Sequence, residues 1–185
     1  MFKYKIHKKN IYLISGLIFI IFWLFPLWNM YDLAVFWDGN GYLAGIESFK
    51  VSLLEYDQFP QNSPWQRGGR PESLYLMSPL SIRFWFFVIF ETKTALSLYL
   101  LFCFMILFYG SYKLSSFYFK KEVFKFFFAF LSIFNIALIF HLKAGHFIFL
   151  SFCYFPLTLY FLFKYKTYKF AGVISGYFFG LMLDD

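Results

Sequence analysis

The chain has 185 residues, of which 61% are hydrophobic and 15% charged, and its mean hydropathy is +0.60. Soluble domains carry about 25% charged residues, so this composition excludes an ordinary soluble domain and predicts an integral membrane protein. The net charge of +7 does not indicate nucleic-acid binding, because the lysines cluster beside apolar runs, where they set membrane topology. Cys103 and Cys153 both lie in apolar runs and support neither a disulfide framework nor a zinc site.

The chain opens with a lysine-rich segment, residues 1–10, followed by an apolar run at residues 11–28. At about 1.5 Å per residue, this run nearly crosses a hydrocarbon core of about 30 Å. No small-x-small cleavage site follows it, so the sequence favours an uncleaved anchor over a cleaved signal peptide. The lysines predict a cytoplasmic N-terminus, which places the following loop outside.

Residues 29–93 are predicted to form a long outer loop, and its first part, up to Ser81, holds six of the chain's ten acidic residues. Apolar residues between Tyr31 and Leu54 recur at helical spacing, interrupted at Gly39-Asn40-Gly41. This pattern predicts interfacial helices whose aromatic side chains face lipid. Residues 58–71 are dense in turn-forming residues. Loops of this kind often carry substrate-binding groups.

Residues 78–90 are apolar except for Arg83 but are short for a span. Placing them at the outer interface puts both later lysine clusters in the cytoplasm, as the positive-inside rule prefers. The alternative, in which they span, puts both clusters outside. The sequence therefore predicts an all-α polytopic membrane bundle, forming one domain over residues 1–185. Its predicted spans lie near 11–28, 94–112, 123–141, 147–163 and 170–183.

This topology gathers polar residues on the outer side. Nine of the ten acidic residues then lie outside and only Glu122 inside. His141 and His146 also lie outside. In the last span Gly172, Gly176 and Gly180 form a small-residue face of the kind that lets another helix approach closely.

Several short motifs follow one another in a suggestive order. They are Trp37-Asp38-Gly39-Asn40-Gly41-Tyr42-Leu43, Tyr75-Leu76-Met77-Ser78-Pro79-Leu80, Lys143-Ala144-Gly145-His146, Pro156-Leu157 and Gly180-Leu181-Met182-Leu183-Asp184-Asp185. Together they resemble the GT-C superfamily of membrane glycosyltransferases, and most closely its YfhO-like bacterial members. Proteins of this family usually have more spans than are predicted here, so we expect the chain to be an N-terminal portion of a larger protein.

The resemblance implies a protein of the bacterial plasma membrane that transfers a sugar from a polyprenyl-phosphate carrier to a cell-envelope glycopolymer or lipid acceptor. It also implies that an early acid in the first outer loop is the general base, which Asp38 matches. Asp32 and Glu47 are the alternatives, and a turn or helix-cap role for Asp38 stays open. The resemblance further places His146 near the carrier site.

Other candidates come from residue chemistry. Arg67 and Arg70 suit a carrier phosphate, because a guanidinium pairs with phosphate oxygens, and the alternative, which the loop position favours, is that they are ordinary solvated arginines. Arg83 is expected to snorkel toward lipid head groups. Asp184 and Asp185 are weak candidates, with Asp38, for a divalent cation such as Mg²⁺ or Mn²⁺.

The expected partners are therefore a lipid-linked sugar donor, an envelope acceptor and membrane lipids, and not nucleic acid. The alternative function is a non-catalytic membrane subunit of an envelope polysaccharide assembly or transport complex. A transporter would be expected to carry acids or broken helices in mid-membrane, and the predicted spans are nearly free of charge.

Overall fold

The structure, a computed structural model, describes residues 8–24, 39–57, 81–143 and 147–183. Within these ranges the regular structure is entirely helical, which confirms the prediction of an all-α chain. The helices are α1 (Lys8–Leu24), α2 (Gly39–Leu54), α3 (Ile82–Ile89), α4 (Thr92–Ser115), α5 (Glu122–Ile133), α6 (Ile136–Lys143), a 3-10 helix (Phe147–Tyr154), α7 (Phe155–Phe163) and α8 (Ala171–Leu183).

Two helical stretches are long and apolar enough to cross a membrane. They are α4 and the stretch Glu122–Leu142, which comprises α5 and α6. Three shorter apolar helical stretches occur at Ile11–Phe22, Phe149–Phe163 and Ala171–Met182. These lengths support membrane association, and the assignment of five spans stays a prediction.

Helix α4 is the centre of the fold. It packs against α1, α2, α3, α5, α7 and the 3-10 helix. Its buried residues cover most of its circumference, while one side, with Leu101, Phe102, Met105 and Ile106, is half-buried and Tyr109 is exposed. The helix ends where serine hydroxyls compete for backbone carbonyls, since Ser115 Oγ donates to Tyr112 O (2.7 Å) and Ser116 Oγ to Lys113 O (2.6 Å).

The helices around α4 have defined directions. The ring of Tyr12 contacts that of Phe126, and Phe19 contacts Phe130 and Phe134. Helix α1 therefore runs parallel to α5. The Tyr112 hydroxyl bonds to Glu122 at the start of α5, so α4 and α5 are antiparallel. The start of α1 and the end of α4 consequently lie at the same end of the bundle.

Helix α2 lies on the bundle through its apolar face. Leu43, Ile46 and Phe49 are buried, and Lys50 Nζ donates to Phe90 O (3.0 Å) at the end of α3. The expectation that this face meets lipid is wrong, because it packs on α3 and α4. Helix α2 begins at Gly39 and runs through both following residues, and the part of the pattern before Gly39 lies outside the described residues.

The short helix predicted near residues 78–90 is present as α3, which covers Ile82–Ile89. Ser81 caps it, with Oγ accepting from Arg83 N (3.2 Å). Trp85 is 53% exposed, whereas Arg83 is only 4% exposed. The expectation that Arg83 snorkels outward is therefore wrong. Arg83 and Phe87 are one turn apart and share the face of α3 that packs inward.

Helix α8 packs on α7 with the side opposite its glycines. Ala171, Ser175 and Leu181 are buried, and Ser175 Oγ donates to Thr158 O (3.0 Å). A Cβ added at Gly172, Gly176 or Gly180 would meet nothing within 4 Å. Within the described residues no helix approaches this small-residue face.

Candidate ligand-binding cleft

The second membrane-length stretch is broken near its middle. Helix α5 ends at Ile133, Phe134 leaves the helical conformation (φ −84°, ψ 24°), and α6 starts at Ile136. Ser132 Oγ donates to Ala129 O (2.6 Å), and Asn135 follows directly. Serine and asparagine side chains compete with helical backbone bonds, so their presence here explains the break. Non-helical backbone at membrane depth is tolerated where it is buried in protein or lines a cavity.

A cavity of about 480 Å³ lies beside this break. It is bounded by α4, α5, α6, the 3-10 helix and α7, and its volume falls in the range of small-ligand pockets, roughly 300–1,000 Å³. We call it the α5–α6 cleft. Its apolar walls include Leu107, Leu114, Phe128, Leu138, Phe152 and Pro156.

Four polar residues also line the cleft and could form hydrogen bonds with a ligand. They are Ser111, Ser132, Asn135 and His141. The Ser111 residue is 1% exposed, and its hydroxyl has no hydrogen-bond partner among the described residues. An unpaired buried hydroxyl costs about 1–3 kcal/mol.

His141 is held in the wall of the cleft by aromatic packing. Its ring stacks on Phe149 of the 3-10 helix, with centroids 3.8 Å apart and planes 17° from parallel. The side chain is half-buried. An imidazole in an otherwise apolar wall can donate or accept a hydrogen bond, and it orients a ligand that carries a polar group.

The site residues predicted from the sequence lie in other parts of the chain. Asp38, Arg67, Arg70, His146 and the pair Asp184-Asp185 all lie outside the described residues. Their grouping, and the divalent-cation site built on Asp38, Asp184 and Asp185, stay predictions. In the described ranges no three His, Cys, Asp or Glu side chains are grouped as metal ligands.

Two weaker candidates are described. Glu47 lies exposed on α2, well placed for solvation. His141 lines the cleft, and α6 ends at Lys143, three residues before His146 in the chain. The cleft therefore adjoins in sequence the segment for which the resemblance implies a carrier site.

The polar residues of the cleft other than His141 were missed by sequence reasoning. Ser111, Ser132 and Asn135 all lie inside predicted spans, and a polar side chain within a span is a functional candidate by default. That signal was available in the sequence. Their convergence was not, because Ser111 lies on α4 and the others on or after α5.

The two cysteines are buried and free, as their positions in apolar runs predicted. Cys103 on α4 and Cys153 on the 3-10 helix are neighbours in the core, and Cys153 also reaches the wall of the cleft. They act as small apolar side chains between two packed elements.

The chain matches no protein-family model, no curated protein and no solved structure.

Proposed function

We propose that this chain acts in membrane glycosyl transfer and uses a polyprenyl-phosphate sugar on the outer face of the membrane. The observation that supports this proposal is the α5–α6 cleft. Its walls are hydrocarbon and aromatic, which suits an isoprenoid chain, and its few polar groups would fix the orientation of that chain.

In the proposed reaction, Asp38 accepts the proton of the acceptor hydroxyl. The acceptor oxygen bonds to the anomeric carbon, and the bond from that carbon to the phosphate oxygen breaks. The polyprenyl phosphate leaves with the electron pair, and Arg67, Arg70 and His146 would stabilise its charge. A divalent cation is a possible addition that Asp184 and Asp185 would hold.

The packing of α2 supports a role for Asp38. This residue directly precedes Gly39, the first residue of α2. Helix α2 is anchored by the buried side chains of Leu43, Ile46 and Phe49 and by the bond from Lys50 to Phe90 O. A functional group next to an anchored helix is better positioned than one in the middle of a long loop.

The test uses membranes containing the full chain, incubated with a radiolabelled polyprenyl-phosphate hexose. We expect Asp38→Asn to lower transfer of label to acceptor material by about 10²–10⁴-fold, the usual contribution of a general base. Glu55→Gln, which changes an exposed acid directly after α2, is the matched control and should transfer normally. Normal transfer by Asp38→Asn would reject Asp38 as the base.

A second candidate is a non-catalytic membrane subunit of a polysaccharide assembly or transport complex. The break at Phe134 and Asn135 favours it, because discontinuous helices form the substrate sites of many transporters. Complementation of a deletion strain separates the two. If the chain is the enzyme, Asp38→Asn should fail to restore the deletion strain. If it is a transport subunit, Asp38→Asn should restore the strain and Asn135→Leu should not.

A further inference from the structure

Most of the net charge of the protein lies at one end of the bundle. Residues 113–125 and 164–170 carry seven lysines and one acid, Glu122, a net charge of +6, against +7 for the whole chain. The lysines are Lys113, Lys120, Lys121, Lys125, Lys164, Lys166 and Lys169. This concentration exists only if the two segments lie together.

The contacts place the two segments side by side. Phe117, in the turn after α4, packs on Tyr160 and Phe163 at the end of α7, with ring centroids 5.8 and 5.6 Å apart. Lys164 Nζ lies 5.4 Å from the centre of the Phe117 ring. Helix α1 also begins at this end, because Tyr12 contacts Phe126. The lysines of its first turn, Lys8 and Lys9, thus add to the same end.

Exposed aromatic rings are interleaved with these lysines. Tyr118, Tyr165, Tyr168 and Phe170 are each more than half exposed. Lysine ammonium groups lie over neighbouring rings, as Lys166 does at 5.7 Å from Tyr165 and Lys169 at 5.7 Å from Phe170. The single acid, Glu122, already bonds to Lys125 (2.9 Å) and Tyr112, so it leaves the other lysines' charge available.

We infer that this end, which we call the lysine–aromatic surface, binds the phosphate head groups of anionic phospholipids. Tyrosines and lysines at the ends of apolar helices are typical of the membrane–water boundary, where rings lie at head-group level and ammonium groups reach phosphates. Clusters of about four to eight lysines beside a membrane helix are typical of anionic-lipid recognition. The apolar helices that bear this surface favour a lipid partner over nucleic acid. The inference does not depend on the proposed transferase activity.

The test uses the full chain purified in a neutral detergent. Its melting temperature is followed as phosphatidylglycerol or phosphatidylcholine is added, and retained lipid is measured by mass spectrometry. We expect phosphatidylglycerol to raise the melting temperature and be retained, and 0.5 M salt to weaken both effects, since at this ionic strength screening acts within about 3–8 Å. Phosphatidylcholine should do neither.

Matched variants locate the binding. Lys120→Gln, Lys121→Gln, Lys166→Gln and Lys169→Gln together should weaken phosphatidylglycerol binding by about tenfold or more, since each lysine contributes separately to attraction. The same four positions changed to arginine keep the charge and should bind normally. The double variant Lys93→Gln, Lys143→Gln should also bind normally, because Lys93 at the start of α4 and Lys143 at the end of α6 lie away from the lysine–aromatic surface.

Four outcomes would overturn the inference. Equal stabilisation by phosphatidylcholine would show that charge is not recognised. An equal loss in the Lys93→Gln, Lys143→Gln variant would show that the lysine–aromatic surface is not the site. An equal shift with soluble glycerophosphoglycerol, or tighter binding of a single-stranded oligonucleotide at matched phosphate, would assign the surface to free phosphate or nucleic acid.

Discussion

The ring of His141 lies 3.8 Å from the ring of Phe149, and this stacked pair joins α6 to the 3-10 helix. It forms one wall of the α5–α6 cleft beside the break at Asn135. The two elements are separated in the chain by residues 144–146, and the sequence alone does not show that their side chains pack together.

We expect Phe149→Ala to destabilise the protein by about 1–3 kcal/mol, because it removes both partly buried apolar area and the stacked pair. Phe22→Ala, which removes a ring that is 74% exposed on α1, is the control and should have little effect in detergent. Thermal unfolding of the purified chain measures both. Equal melting temperatures for Phe149→Ala and the wild type would contradict the packing of this wall.

Gly110 is required by the close approach of α4 and α7. A Cβ there would lie 2.9 Å from Leu157 N and 3.1 Å from Leu157 Cβ, so the two helices would have to separate. We expect Gly110→Ala to cost about 1–3 kcal/mol. Gly176→Ala has open space around it and should be neutral or stabilising by up to about 1 kcal/mol, owing to helix propensity. Melting temperatures that fail to separate the two variants would argue against this helix contact.

Tyr112 and Glu122 couple the end of α4 to the start of α5. The Tyr112 residue is 2% exposed and its hydroxyl donates to Glu122, which also accepts from Lys125 Nζ at 2.9 Å. We expect a coupling energy of about 1–2 kcal/mol between Tyr112→Phe and Glu122→Gln, because the bond involves a charged acceptor. Lys125→Met should cost less, since an i,i+3 ion pair contributes about 0.2–0.5 kcal/mol. A double-mutant cycle near zero would show that the two residues act independently.

Lys50 fastens α2 to the carbonyl at the end of α3. We expect Lys50→Met to leave the global melting temperature nearly unchanged, because the bond is exposed. Local opening of α2 should become easier, which hydrogen exchange of residues 39–54 would detect. Glu47→Gln, exposed on the same helix, is the control. Unchanged exchange in Lys50→Met would mean that the buried face of α2 is sufficient to hold it.

The directions of α1 and α4 bear on the membrane topology. The start of α1 and the end of α4 both lie at the lysine-rich end. The chain between them therefore crosses the membrane an even number of times, which favours two crossings, with residues 78–90 at the interface, over three. Asp38→Cys, His146→Cys and Lys166→Cys, each in a chain lacking Cys103 and Cys153, test this in intact cells. We expect an impermeant thiol reagent to label positions 38 and 146 but not 166. Labelling at 38 and 166 but not 146 would mean that residues 78–90 span.

The sequence by itself determined the helical class and the approximate positions of the helices. Long apolar runs specify helices locally, because backbone groups in an apolar setting must be bonded within the segment. Lysine clusters at residues 113–125 and 164–170 were equally visible. The end of α4 at Ser115 and Ser116 also has a local cause, in hydroxyls that bond to carbonyls one turn back.

Which helix faces pack together depends on tertiary contacts. Arg83 is buried, and the glycine face of α8 is uncovered within the described residues. Neither could be predicted, because in helices that are apolar on nearly every face the hydrophobic periodicity does not identify the side that packs. Ser111, Asn135 and His141 line the same cleft because α4 packs against the elements that follow it. The joining of the two lysine segments likewise depends on Phe117 packing between Tyr160 and Phe163, a contact between residues distant in the chain.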